Sequence, residues 1–243
     1  MKIQALYTSQ AIYYDLLYSG KEYKKESQQI KKIITKYKKS KGNDLLDCAC
    51  GTGNHLQYFI DDFNCIGTDL NPAVLEIARE KLPTIEFIEA DMSDLNLNRK
   101  FDVITCLYSS IGYITKKDRV ESAIRAFSKH LKPGGILIVE PWLTKEMYNV
   151  DDPVMNIYNG DDIKIARLYT LELKNDNISH FEQHILVAER GKKVKHFVDL
   201  HELAMFPMSD FISWFEKYDM YPTLLPQGLF DDRGLLIGVK RGA

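Results

Sequence analysis

The chain has 243 residues, with 32 basic against 34 acidic side chains, 45% apolar and 11% aromatic residues, and four cysteines. That length can bury a sizeable core in one domain with an addition, or in two at most. A net charge of -2 argues against DNA or bulk RNA as the main ligand, because neutralising phosphates takes a basic excess, and the composition excludes collagen-like, mucin-like, disordered and disulfide-scaffold classes.

Met1 to Ala5 lacks the apolar core of a signal peptide. No apolar stretch approaches the roughly 20 residues that span a bilayer, so a soluble, cytoplasmic protein is expected. Lys21 to Lys39 sets Tyr23, Ile30, Ile33, Ile34 and Tyr37 among lysines, which predicts an amphipathic helix with a solvated basic face. Asp44 to Cys50 reads as a buried strand ending in Gly51-Thr52-Gly53, with a helix after it from Asn54 to Ile60. A second strand covers Cys65 to Asp69, and Asn71-Pro72 offers an N-cap and a first-turn proline for a helix over Ala73 to Lys81. Strands at Ile85 to Ile88 and Phe101 to Leu107, a helix at Asp118 to Leu131, and a strand at Gly135 to Glu140 continue the alternation. Alternating strands and helices predict an α/β fold with a parallel, doubly wound, Rossmann-like sheet and ligands at its carboxyl edge.

From Ile163 the runs become β-branched and aromatic, separated only by short turns. Ile163 to Leu173, Ile178 to Ala188 and Val194 to Leu203 are expected as antiparallel strands. A helix over Ser209 to Tyr218 and strands at Thr223 to Leu225 and Leu235 to Val239 close the chain. The expected organisation is a helical cap at 1–40, a cofactor-binding core at 41–145 with 208–243, and an added antiparallel β block at 146–207 near the substrate pocket. Cys48, Cys50, Cys65 and Cys106 match neither a C-x-x-C nor a zinc spacing, so buried free thiols and no metal are expected.

The turn Asp47-x-Ala49-x-Gly51-Thr52-Gly53 exposes bare backbone amides to a polar ligand, since glycine has no Cβ to obstruct the approach. Asp69 ends the second strand, 22 positions after Asp47, where a carboxylate accepts from ribose hydroxyls. Asp91 follows the third strand, placed to accept from an exocyclic amine, with Met92 covering the ring. Any one strand-end aspartate reads equally as a cap or turn former; three in register with the glycine turn point to an adenosine-bearing ligand. Leu56 stands where a third glycine of G-x-G-x-x-G would fall, which weighs against a nicotinamide dehydrogenase.

Leu46 to Gly53, Gly67 to Leu70, Ala90 to Met92 and Leu131 to Gly135 resemble the sequential motifs of class I S-adenosylmethionine-dependent methyltransferases. Tyr14 to Tyr18, Val103 to Cys106, Ser109 to Gly112, Val139 to Trp142 and Arg233 to Leu236 extend the likeness to the N,N-dimethyltransferases of nucleotide-linked amino sugars. The resemblance implies S-adenosylmethionine as cofactor. It also implies that Tyr14, Tyr23, Asp47, Ala49, Gly51, Gly53, Asp69, Leu70, Asp91, Met92 and Cys106 form the cofactor site, with Tyr113, Arg233 and Tyr7 serving the substrate. Some relatives place a histidine after Ser-Ile-Gly, where this chain has Tyr113. The histidines at 180, 184, 196 and 201 fall in the strand-rich block. The expected partner is a small molecule, with no nucleic acid and no membrane, and a homodimer left open. Competing readings are a methyltransferase for another amine, amino acid or carboxylate, a non-catalytic adenosylmethionine-binding protein, and a nicotinamide oxidoreductase.

Overall fold

The computed structural model describes residues 5–7, 10–229 and 233–242. After short 3-10 turns at Ala5–Tyr7 and Ala11–Tyr13 come α1 (Tyr14–Leu17) and α2 (Tyr23–Tyr37). The core then runs β1 (Asp44–Cys48), β2 (Asn64–Asp69), α3 (Pro72–Lys81), β3 (Glu86–Glu89), β4 (Phe101–Cys106), α4 (Lys117–His130) and β5 (Leu131–Val139). A second block holds β6 (Pro153–Asn159), β7 (Ile163–Thr170), β8 (Glu172–Asn175), β9 (Ile178–Glu189) and β10 (Lys195–Ala204). The chain returns through α5 (Met208–Lys217), β11 (Met220–Leu225) and β12 (Leu235–Lys240).

Among the described residues, seven strands form the main sheet in the order β11-β12-β5-β4-β1-β2-β3. The run from β5 to β3 is parallel and the β11–β12 hairpin adds antiparallel to β5. Strand side chains alternate between its two faces. Leu46, Ile104, Leu137 and Leu236 pack with α4 and α5. Leu45, Val103, Ile136 and Ile237 pack with Ile30, Ile33 and Ile34 of α2 and Leu75 and Ala78 of α3. The order reverses direction between β1 and β4, so the crevice above their carboxyl ends is where ligands of such sheets bind.

The remaining strands form the order β10-β9-β7-β6, with β8 also pairing β9. Leu6, Tyr13, Tyr14 and Leu17 bury themselves against Ile165, Ile185 and Val187 of this second sheet. The N-terminal segment is thereby held between the antiparallel sheet and the mouth of the parallel one.

Three expectations differ from the structure. The helix expected over Asn54 to Ile60 is only a 3-10 turn at Leu56–Tyr58. Leu56 and Phe59 are both fully buried and three residues apart, the spacing that a three-per-turn helix places on one side. Strand β6 falls where none was expected and is an edge strand opened by Pro153, a position that needs no ladder donor, while the strand expected over Ile163 to Leu173 breaks after Thr170 and continues as β8, Glu172–Asn175. Asn71 occupies the N-cap of α3 with Pro72 behind it, but its side chain makes no capping hydrogen bond; it turns instead towards Asp69 Oδ1.

Candidate active site

Above the carboxyl ends of β1, β2 and β4 lies a cavity of about 400 Å³, within the roughly 300–1,000 Å³ typical of small-molecule sites. Its walls include Tyr7, Tyr14, Tyr23, Asp47, Ala49, Gly51, Asp69, Leu70, Asp91, Met92 and Tyr113. Eleven of the fourteen residues expected from the sequence thus meet in one crevice.

The turn after β1 reaches its shape through left-handed backbone at Ala49 (φ 56°), Gly51 (φ 55°) and Gly53 (φ 78°). A Cβ on Gly51 would point into open space, as a backbone meant to be approached by a ligand requires. Gly53 does not line the cavity; a Cβ there would come within 3.0 Å of Leu82, so its part is to let the turn press onto α3. Cys106 is likewise not a wall residue. It is fully buried on the α4 face of the sheet, with Sγ 3.9 Å from Met92 Sδ, because strand alternation turns it away from the crevice.

Asp47 is 3% exposed and accepts a hydrogen bond from Thr105 Oγ1 at 2.7 Å. Burial, together with the charge of Asp69, pushes its carboxyl up to about 7. Asp69 Oδ2 accepts from Gly51 N at 2.9 Å and Oδ1 from Asn71 N at 3.0 Å, so it fixes the glycine turn while lining the cavity; burial raises its carboxyl as well. Asp91 is tied differently from the expectation. Oδ1 accepts from Ser93 N and Oγ, capping the turn after β3, and Oδ2 pairs with Arg119 at 2.6 Å. The capping alternative therefore describes the bonding of Asp91 in this structure.

Networks outside the quoted motifs hold the crevice together. The Asp15 carboxylate of α1 accepts from Thr52 Oγ1 (2.6 Å), Asn54 Nδ2 (2.8 Å) and Lys81 Nζ (2.6 Å), tying the N-terminal segment to the glycine turn. His55 Nε2 lies 2.8 Å from Glu26 Oε2, which also pairs with Lys21, so His55 serves the α2 junction. After β4, Tyr108 (φ 52°) and Ser109 (φ 57°) are both left-handed, a strained pair that the structure pins from two sides. Glu140, fully buried at the end of β5, accepts from Tyr108 N at 2.6 Å, and burial pushes its carboxyl up to about 7. Arg233 donates to Ser109 Oγ at 2.8 Å and lies 4.9 Å over the Trp142 ring. It is a wall residue of neither this cavity nor the next; in place of the expected substrate contact, the structure sets its guanidinium against the turn after β4 and the Trp142 ring. Asp231 and Asp232, its sequence neighbours, lie outside the described residues.

Tyr113 sits where the two sheets meet. A Cβ on Gly112 would come 3.0 Å from Trp142 and 3.2 Å from Leu203, so that glycine lets the loop after β4 press onto β10. Tyr113 Oη is then 3.0 Å from Tyr7 Oη and 2.7 Å from His201 Nδ1. His201 Nε2 is 3.3 Å from Asp199 Oδ2, whose carboxylate accepts from Ala5 N and Leu6 N. Asp199 and His201 hold inward positions of an alternating strand and are 1% and 3% exposed.

A second cavity, of about 570 Å³, adjoins the first through the shared wall residue Tyr108. Lys21, Lys25, Tyr18, Tyr169 and Arg167 border it. Arg167 is 4% exposed and donates to Tyr18 Oη (2.8 Å) and Asn156 Oδ1 (2.7 Å). Among the described residues no carboxylate pairs with it.

An adenosyl amino acid fits the first cavity. Asp47 would offer a buried carboxylate to an ammonium group, Asp69 would offer one to ribose hydroxyls, and Gly51 leaves its backbone unobstructed beside them. Among the described residues there is no cluster of metal ligands, and no helix long and apolar enough to cross a membrane.

Residues 45–135 match a family model described as a methyltransferase domain. The dTDP-3-amino-3,4,6-trideoxy-alpha-D-glucopyranose N,N-dimethyltransferase of Streptomyces venezuelae is 33% identical over 229 residues, covering 93% of this chain and 95% of that protein. The dTDP-3-amino-3,6-dideoxy-alpha-D-glucopyranose N,N-dimethyltransferase of Streptomyces fradiae is 29% identical over 93% of this chain and 89% of its own. Among solved structures, Streptomyces venezuelae DesVI superposes with a TM-score of 0.89 at 32% identity, covering 95% of this chain and 98% of its own. The sugar N-methyltransferase KedS8 of a Streptoalloteichus species superposes with a TM-score of 0.86 at 31% identity, covering 94% and 93%. The chain belongs to the class I S-adenosylmethionine-dependent methyltransferases, in the branch that contains the nucleotide-sugar N,N-dimethyltransferases.

Proposed function

We propose that this protein transfers methyl groups from S-adenosylmethionine to the amine of a nucleotide-linked amino sugar. Arg167 is the observation that carries the substrate class. Among the described residues this buried guanidinium is held by the Tyr18 phenol, the Asn156 amide and the neighbouring Tyr18 and Tyr169 rings, with no carboxylate, and a buried cation of this kind calls for an anionic ligand. Its planar fork suits the oxygens of a diphosphate, and Tyr18 and Tyr169 beside it offer ring faces to a base or sugar. Lys21 and Lys25 at the second cavity are paired with Glu26 and Glu22, which leaves Arg167 as its cation without a carboxylate among the described residues. Through Tyr108 the cavity meets the acidic crevice, so a nucleotide held in one can extend its sugar into the other. The relatives named above act on dTDP-amino sugars and carry N,N-dimethylation in their names, which favours the same class here.

When bound, the cofactor supplies a methyl group activated by a sulfonium. What the chain must add is orientation and exclusion of water. Bringing two reactants into register is worth on the order of 7–11 kcal/mol in favourable models. Tyr7, Tyr14, Tyr23 and Tyr108 close the crevice with aromatic surface, and the Asp15 cluster keeps the α1 segment over it. Tyr113 faces the amine position with its oxygen. An amine flanked by electron-withdrawing oxygens titrates nearer about 8 than a lysine's about 10, so part of it is already neutral at pH 7.

Among the described residues all four cysteines are free thiols, which suits the reducing cytoplasm as the compartment. The acceptor assignment is tested by steady-state kinetics with labelled adenosylmethionine, comparing dTDP-amino sugars with glycine, sarcosine and simple amines. The amino sugars should exceed the small amines by at least about a hundredfold in kcat/KM, since only they carry a diphosphate that reaches Arg167 while the amine lies in the adjoining crevice. Equal use of the free amines would refute the assignment.

A further inference from the structure

We infer that Tyr113, His201 and Asp199 form a proton-accepting chain that takes a proton from the substrate's ammonium group, so that the enzyme can use the protonated as well as the neutral amine. This rests on the amino-substrate reading above and adds a function to residues of the antiparallel sheet.

The direction of the chain follows from its far end. Both Asp199 oxygens accept, one from Ala5 N at 2.8 Å and one from Leu6 N at 3.1 Å, and Oδ2 lies 3.3 Å from His201 Nε2. The histidine contact is off the axis of a hydrogen bond, but a ring lone pair turned towards a carboxylate would be repelled, whereas an N–H is attracted. The proton therefore belongs on Nε2. Nδ1 is left with its lone pair and accepts from the Tyr113 hydroxyl at 2.7 Å. With its only hydrogen committed there, Tyr113 can only accept from the cavity side, which makes the Tyr7 hydroxyl, 3.0 Å away, the donor of that pair. An oxygen that only accepts is suited to an ammonium, which only donates.

The proton balance is closed. An N–H bond of the ammonium breaks and its electron pair stays on nitrogen. The proton goes to Tyr113 Oη while the proton Tyr113 held goes to His201 Nδ1. The result is a neutral amine, a neutral phenol and an imidazolium beside the Asp199 carboxylate. Burial raises the Tyr113 phenol well above its ordinary range, so the phenol is a conduit and the imidazole is the base. The same carboxylate holds the Ala5–Tyr7 turn, so the base and the Tyr7 hydroxyl are positioned together.

The titratable groups facing this chain are Tyr7 from the N-terminal turn, Tyr14 and Tyr18 at α1, and Asp199 on β10 itself. From β9 the cross-strand neighbour is Phe181, stacked on the His201 ring and without charge.

The test has two arms. In the ligand-free protein, 15N NMR of the histidine rings should show His201 with Nε2 protonated and Nδ1 bare; an Nδ1–H tautomer would overturn the chain without reference to turnover. In the second arm, His201→Asn keeps an acceptor near the Nδ1 position but cannot take a proton. With a dTDP-amino sugar, its kcat should fall about tenfold at pH 7 and recover to within about twofold of wild type at pH 9, where the free amine is already neutral. Adenosylhomocysteine affinity and melting temperature should stay the same. A wild-type rate and pH profile in that variant would refute the relay. A wild-type enzyme inactive on every amino sugar would instead refute the substrate reading, leaving the NMR arm to decide the chain.

Discussion

Asp47 is expected to couple cofactor binding to the loss of a proton, and the size of the effect follows from its burial. Its carboxyl moves from an ordinary 3.8 to about 7 because burial penalises the charged form and Asp69 adds like charge. That rise is worth about 4 kcal/mol at ~1.4 kcal/mol per tenfold change. In the ligand-free protein the folded state holds this proton more tightly than the unfolded chain does. The group therefore supports stability below the unfolded value, and that support is lost as pH rises towards 7. A ligand that brings an ammonium to Asp47 needs the carboxylate ionised and must displace the proton. Between pH 8 and pH 6 the dissociation constant of adenosylhomocysteine should thus rise about tenfold, with about 0.9 proton released per ligand bound at pH 6 and about 0.5 at pH 7. Calorimetry in two buffers of different ionisation enthalpy reads both quantities. Glu140 titrates in the same range but does not line the cavity. Asp47→Asn isolates the effect, since it should bind weakly and without pH dependence. A wild-type affinity that is flat from pH 6 to pH 8, with no proton released, would refute the reasoning.

Other substitutions separate roles within the site. Asp69→Ala removes the anchor of Gly51 and the carboxylate proposed to accept from ribose, and should weaken adenosylhomocysteine binding at least tenfold, at about 1.5–3 kcal/mol per charge-assisted bond. Asp15→Ala releases three hydrogen bonds to the glycine turn and Lys81. Because that cluster is partly exposed, each bond counts for less. The expected result is a severalfold loss of cofactor affinity, with faster proteolysis of the first 20 residues in the ligand-free protein. Arg233→Lys should lower the melting temperature by about 2–4 °C, the equivalent of about 1 kcal/mol in a domain this size, and leave the substrate KM unchanged. Arg167→Met should raise the KM for the nucleotide sugar more than tenfold without altering adenosylhomocysteine affinity, as steady-state kinetics and calorimetry would show.

The parallel core was legible because its signals are local. The Asp47 to Gly53 turn, the alternating faces of β1 and β4, and the isoleucines of α2 each declare themselves within a few residues. The carboxylates at the strand ends could be placed by counting, though not their bonding: whether Asp91 meets a ligand or Ser93 and Arg119 depends on α4, which carries Arg119 28 residues away. The residues that sequence reasoning missed share one property. Asp15 meets Thr52 and Lys81, Arg167 meets Tyr18, and His201 meets Tyr113, all across elements far apart in the chain. A signal did exist for some of them. Arg167, Asp199 and His201 occupy inward positions of alternating strands, and a charged or titratable side chain in that phase is either paired or functional. Cys106 failed for the opposite reason, since proximity in a motif does not fix which face of a strand a side chain takes.

Mass spectrometry of the product tests methyl transfer to a nucleotide-bound amine most directly. Incubated with adenosylmethionine and a dTDP-3-amino sugar, the enzyme should convert the nucleotide sugar to species carrying one and then two additional methyl groups, with fragmentation placing both on nitrogen. An unchanged nucleotide sugar in the presence of bound cofactor, or methyl groups on oxygen or carbon, would contradict it.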